Sequence, residues 1–204
     1  MSVLRFSLLC LFFLSCNSVY TPKRRGYFKI DFPQHKYQVF NQPGFPYTFE
    51  YPVYARIVRD TSFFDTVPEN PYWINIDFPQ FNGRIYISYK AIGPNKFEKL
   101  RDDAFKMTFK HAVKASSIDQ TMIQTPNGIG GIYFNVGGNA ATANQFFLTD
   151  TTRNFLRGAL YFDTTPNEDS LGIVNQFLEK DMQHLINTFK WRDSGPATAA
   201  APHK

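Results

Sequence analysis

The chain has 204 residues, with 22 basic and 17 acidic side chains and a hydrophobic share of 43%, rich in aromatics at 22 Phe and 11 Tyr. That is too apolar for a disordered chain, and a net charge of +5 without a basic stripe or stacking signature argues against a nucleic-acid partner. Two cysteines, Cys10 and Cys16, set a low ceiling on disulfide or thiolate chemistry.

Residues 1–16 read MSVLRFSLLCLFFLSC, in which Arg5 precedes an apolar block from Phe6 to Leu14. The block is about half the roughly 20 residues that a spanning helix needs, so it reads as a signal-peptide core. Phe13, Leu14 and Ser15 ahead of Cys16 match the bacterial lipoprotein signal and lack the small-x-small pattern of ordinary secretion. Residues 1–15 are then the signal peptide, and Cys16 is the lipidation site and mature N-terminus. Each buried methylene of its acyl chains adds about 0.8 kcal/mol, so two or three chains hold the protein on a bilayer.

Removing Cys10 leaves the acylated cysteine alone, with no disulfide, CxxC knuckle or thiol nucleophile. Residues 16–25 form a tether. Its Lys23, Arg24 and Arg25 are either membrane-proximal, worth roughly 1 kcal/mol each against anionic headgroups, or a solvated cluster. No acidic cluster follows Cys16, which favours a periplasm-facing position on the outer or inner membrane.

One globular domain is expected over 26–192. Tyr27 to Phe32 alternates like a strand, and Tyr47 to Tyr51 and Val53 to Val58 are strand-like runs broken by Pro52. The pentapeptide IDFPQ occurs at 30–34 and 76–80, and both copies read as strands that end at Asp-Phe-Pro. The clearest hairpin is YWINIDFPQFNGRIYISYK at 72–90, whose turn at Pro79 to Asn82 sets Ile76 against Ile85, Ile74 against Ile87 and Asp77 against Arg84. One face then carries Ile74, Ile76, Phe78, Ile85, Ile87 and Tyr89. The other, with Trp73, Asn75, Asp77, Arg84, Tyr86, Ser88 and Lys90, is either a solvent face braced by the Asp77–Arg84 pair or a recognition surface.

Residues 96–115 switch to helical spacing, with Phe97, Leu100, Ala104 and Met107 beside Phe105, Phe109 and Ala112. A strand from Ile118 to Gln124, a Pro-Asn-Gly turn and a Gly-rich stretch follow. The glycines fit neither phosphate-binding fingerprint and read as bulges or close packing. A second hairpin sets Phe146 and Leu148 with Leu156, Leu160 and Phe162 around a turn opened by Asp150. A final helix starts at Ser170 as N-cap and runs through Ile173, Phe177, Leu178, Met182, Leu185, Ile186 and Phe189. Residues 193–204 read as a disordered tail.

The sequence carries few groups arranged for reaction chemistry. His111 reads as a packed or edge histidine and His184 has no second ligand at i+4. No zincin, nucleophile-elbow or EF-hand pattern occurs, and Asp77, Asp150 and Asp163 read as turn caps. The expectation is a non-enzymatic protein with no cofactor, metal or small-molecule substrate.

YWINIDFPQFNGRIYISYK, FKHAVKA, FFLTDTTRNFLRGALYFDTTPNEDSL and FLEKDMQHLINTFKW closely resemble the gliding-motility lipoprotein GldD family of Bacteroidetes, from about Tyr27 to Trp191. The resemblance implies an envelope lipoprotein required for gliding and for type IX secretion, and it brings no catalytic residues. The element order gives an α+β fold, an antiparallel sheet of about six strands with two main helices packed on it. YTFEYP and NTFKW give it a looser likeness to the PsbP/Mog1 sandwich.

The leading expectation is protein–protein interaction with envelope gliding and secretion components, through Trp73, Arg84, Tyr86, Lys90, Arg153 and Arg157. The alternative is a periplasmic glycan- or peptidoglycan-binding lipoprotein. A hydrolase would need a buried cleft with His111 or His184 beside an Asp.

Overall fold

The computed structural model describes residues 29–59 and 68–192. Cys16, Lys23, Arg24, Arg25 and the tail at 193–204 therefore lie outside the described residues. The compact body begins at Asp31.

Among the described residues ten strands form two sheets. Strands β1 (Tyr37–Phe40), β2 (Tyr47–Pro52) and β10 (Lys190–Trp191) make a small sheet in the order β1-β2-β10. The large sheet has seven strands: β3 (Arg56–Arg59), β4 (Ile74–Phe78), β5 (Gly83–Ala91), β6 (Ala115–Gln124), β7 (Gly130–Gly138), β8 (Asn144–Thr149) and β9 (Asn154–Phe162). Its order is β3-β4-β5-β9-β8-β7-β6, and each pairing in both sheets is antiparallel. The α-helices among the described residues are α1 (Phe97–Phe109) and α2 (Glu168–Thr188). The class is the expected α+β with antiparallel pairing and two helices, with more strands than the six expected.

The β4–β5 hairpin has the register read from the sequence: Ile76 faces Ile85, Ile74 faces Ile87 and Asp77 faces Arg84. A 3-10 turn at Pro79–Phe81 and a left-handed Asn82, at φ 48°, close it. Its apolar face is buried throughout, from Ile74 and Ile76 to Tyr89. Full burial of each such side chain contributes about 1.5–3 kcal/mol.

The two faces of the large sheet have separate cores, because alternation sends neighbouring residues in opposite directions. Phe146, Leu148, Leu156 and Leu160 join the hairpin's apolar face, the small sheet and α2 through Leu178, Met182 and Leu185. Phe147, Phe155 and Phe134 point the other way and pack under α1 against Leu100 and Ala104. The small sheet closes the α2 side, with Phe40 stacked on Phe49 at 5.0 Å and Tyr47 on Phe189 at 5.9 Å.

Four local readings change. Residues 29–36 form no strand, so the first IDFPQ is irregular while the second ends β4. The second copy has a partner strand across a tight turn, whereas Phe32 of the first stacks on Phe177 of α2 at 4.5 Å. The buried stripe of α1 passes through Leu100, Ala104 and Thr108, leaving Met107 37% and Phe109 44% exposed. Thr108 takes the inner place because its single hydroxyl proton is shared between Ala104 O at 3.0 Å and Gln145 Oε1 at 3.2 Å. α1 then tightens into a 3-10 turn, Lys110–Val113. Finally, α2 starts before Ser170: Asn167 is its N-cap and accepts from the Ser170 backbone N–H at 3.2 Å.

Candidate functional site

Along the β4–β5–β9 side of the α1 face, ladder register stacks polar side chains. Arg84 faces Asp77 on one side and Tyr161 on the other, and Tyr86 faces Asn75 and Ala159. The Arg84–Asp77 pair is bidentate, Nε to Oδ1 at 2.5 Å and Nη2 to Oδ2 at 3.0 Å, and donating to the Asp77 carboxylate raises the pKa of Arg84. The guanidinium lies 5.6 Å from the centre of the Tyr86 ring, and Tyr86 meets Tyr161 edge-on at 5.7 Å. Together they line an open cleft of about 560 Å³ with Asn82 and Asp163 at its rim. The Arg84 side chain is 42% exposed, so the pair is worth about 0–1 kcal/mol as a brace.

The other expected contact residues do not join this cleft. Trp73, expected on the same face, precedes the first laddered residue of β4, so strand alternation does not direct it. Its indole N–H donates to Tyr89 O at 2.7 Å, and the ring packs on the main core. Lys90 is paired with Glu69 Oε2 at 2.7 Å, and that hydrogen bond with one from Asn95 holds the Glu69 carboxyl low. Arg153 is exposed on the β8–β9 turn, at the opposite end of β9 from Tyr161.

Arg157 is no surface contact residue: it is only 7% exposed. α1 covers this part of β9, and the Arg157 guanidinium donates to Gln145 Oε1, which also accepts from Thr108 of α1. Burial pushes the pKa of Arg157 down. His111 lies beside this group, its ring 6.3 Å from Tyr161, and burial first and Arg157 second lower its pKa. Asn75, expected on an exposed face, is 5% exposed.

A second polar cluster was not foreseen. Asp181 on α2 is 1% exposed and accepts three hydrogen bonds: from His35 Nδ1 at 2.7 Å, the Tyr37 hydroxyl at 3.1 Å and the Tyr54 hydroxyl at 2.5 Å. Burial, then the charge of Asp181, pushes the Tyr37 pKa up to about 12, and Tyr54 is raised further. His35 also stacks on Phe177 at 4.4 Å, and Tyr37 stacks on His184 at 3.5 Å, while His184 Nε2 meets Glu50 Oε2 at 2.7 Å.

These groups come from the entry segment, β1, β2, the β2–β3 turn and α2. Asp181 spends its oxygens on holding those elements together, so the arrangement acts as a clamp. The sequence held one signal for it. Asp181 stands beside Met182 and three residues after Leu178, on the apolar stripe of α2, where a carboxylate needs buried donors. Its donors lie 127–146 residues away in the chain, which no local pattern reports.

Among the described residues no group of three or more His, Cys, Asp or Glu is placed to hold a metal ion, and no helix is long and apolar enough to cross a membrane.

Comparison with known proteins adds two findings. The family described as gliding motility lipoprotein GldD matches residues 17–191. The solution structure of cyanobacterial PsbP from Synechocystis sp. PCC 6803 is similar at 12% identity and a TM-score of 0.44, covering 78% of this chain and 95% of that one. No curated protein matches the sequence.

Proposed function

Since the chain belongs to the gliding motility lipoprotein GldD family, a lipid-anchored envelope protein with a role in gliding, we propose that it acts without catalysis, by binding partner proteins of the gliding and type IX secretion machinery. The observation that carries this reading is the match over residues 17–191, which spans both sheets and both helices. The clamp supports it too, because the most enclosed carboxylate, Asp181, is committed to three internal donors and so serves architecture. The Arg84–Tyr86–Tyr161 cleft is the partner-facing surface in this proposal: a half-exposed guanidinium beside two rings suits a protein ligand, since Arg and Tyr carry much of the energy of interfaces. Anchoring to a membrane raises the local concentration of such a partner without adding any contact.

Crosslinking in cells followed by pull-down tests this. Wild-type protein should recover gliding or secretion components, and Arg84→Glu with Tyr86→Ala should lose most of them while remaining in the membrane fraction. Equal recovery by both proteins would rule out the cleft, and recovery of none by either would rule out the interaction reading.

A second reading, a glycan or peptidoglycan binder, is favoured by one observation: the Asp77–Arg84 pair beside two tyrosine rings in an open cleft offers stacking and bidentate partners to sugar hydroxyls. Sedimentation with purified cell wall separates the two, since the glycan reading requires binding that Tyr86→Ala removes.

A further inference from the structure

The end of α1 carries a surface that neither core nor cleft uses. Met107 is 37%, Phe109 44% and Val113 87% exposed. Between them Lys106, Lys110 and Lys114 recur every four residues, all exposed, and no Asp or Glu occurs between Asp103 and Asp119. The inward stripe of this helix is Leu100, Ala104 and Thr108, with Met107 at its edge, so Lys106 and Phe109 lie on the outward side; Lys110 and Val113 follow in the 3-10 turn and Lys114 caps it, all three exposed. Large apolar side chains set among lysines, in a stretch of chain that carries no acid, match a lipid–water boundary more closely than a protein partner of mixed charge.

The position of this surface is equally specific. His111 lies against Tyr161 near the end of β9, and the next residues bring Asp163 N to Asn82 O at 2.8 Å, on the β4–β5 turn. From that turn Gln80 Nε2 donates to Asp31 O at 2.9 Å, where the chain enters the compact body. The end of α1 and the entry point of the tether thus occupy the same end of the large sheet. Residues 17–30 separate Cys16 from that entry, and a chain of that length reaches at most about 50 Å.

We propose that this end of the domain lies on the membrane that holds the anchor, with Phe109 and Val113 entering the headgroup boundary and Lys106, Lys110 and Lys114 meeting the phosphates of anionic phospholipids. The inference rests on the lipid-anchor reading and adds an orientation to it. The acyl chains fix the distance of the domain from the bilayer, and the α1 surface fixes which end faces it.

The test uses the full, processed protein. Cys10 leaves with the signal peptide and Cys16 is acylated, so a Val113→Cys variant offers a single thiol for a polarity-sensitive dye. The labelled protein is reconstituted into phosphatidylethanolamine vesicles with or without phosphatidylglycerol. The expected result is a blue-shifted emission, quenched by brominated lipid, in the phosphatidylglycerol vesicles, which high salt or Lys106→Glu, Lys110→Glu and Lys114→Glu together abolish.

Lysine-to-arginine changes at the same positions should keep the shift, and thermal melts of each variant should match the parent, since these side chains are exposed. Water-like emission from protein that floats with the vesicles overturns the proposal and leaves the anchor standing. The mass of the N-terminal peptide, read on the same sample, tests the anchor separately. A blue shift that persists in the glutamate variant overturns the assignment to these lysines.

Discussion

Replacing Asp181 with alanine removes the acceptor for three hydrogen bonds at once, and the cost follows from the surroundings of each donor. The carboxylate is 1% exposed, whereas the His35 side chain is 29% exposed and regains water once released. Hydrogen bonds to a charged group contribute about 1.5–3 kcal/mol each, and a single recovered donor offsets part of that. A loss of about 3–5 kcal/mol is expected, the range for breaking a buried charged network. At about 2–4 °C per kcal/mol for a domain of this size, the melting temperature should fall by roughly 10 °C.

Urea unfolding followed by the fluorescence of Trp73 and Trp191 would measure this change, with an unaltered m-value showing that the unfolded state is the same. Tyr54→Phe should cost about 1 kcal/mol in the wild type and almost nothing in the Asp181→Ala background, because its hydroxyl partner has already gone. A loss below about 1 kcal/mol, or undiminished cost of Tyr54→Phe in the alanine background, would refute the clamp.

Asp150 opens the β8–β9 turn. Burial pushes its pKa up, but the N–H groups of Arg153, Asn154 and Thr152 and the Asn154 amide outweigh burial and hold it below the usual value of 3.8. A folded value below the unfolded one means that the contribution is present above pH 3.8 and fades as pH falls through the folded value. Asp150→Asn should therefore be less stable than wild type at neutral pH by about 1–2 kcal/mol, and denaturant midpoints should converge in strong acid. Tyr37 gives the opposite edge: its pKa near 12 lies above the ordinary 10, so its contribution holds below pH 10 and fades as pH rises to 12. Tyr37→Phe should flatten the alkaline fall in stability, measured by urea midpoints across that interval.

Gly131→Ala would place a methyl group 2.0 Å from Phe147 O, across a backbone ladder that cannot yield, so a loss of roughly 3 kcal/mol or more is expected by thermal melt. A double-mutant cycle on Asp77 and Arg84 should give a coupling below about 1 kcal/mol despite the bidentate geometry, because the pair is open to water.

What the sequence discloses here is what is local. The β4–β5 register was legible because a four-residue turn and strict alternation leave a single pairing that buries the isoleucines. The two helices were legible from their period, and their ends were not: Asn167 competes with Ser170 for the cap, and Thr108 replaces Met107 in the buried stripe through two hydrogen bonds. β1 and β10 have four and two residues, and their pairing with β2 is dictated by tertiary packing rather than by their own pattern. The same holds for function. Arg84 and Tyr86 fall on a face that alternation predicts, whereas Arg157 is hidden by a helix from elsewhere in the chain, and the Asp181 cluster joins segments that only the fold brings together.

The Asp181 clamp has a mechanical consequence. The polypeptide enters the body at Asp31, and within six residues His35 and Tyr37 are tied to the middle of the longest helix. Tension applied to the chain N-terminal to Asp31 would reach that knot before it reached the β1–β2 ladder, and would be spread along a helix of 21 residues. Peeling of the small sheet would begin only after the knot had slipped, so the domain would resist unravelling under a pull on its N-terminal side.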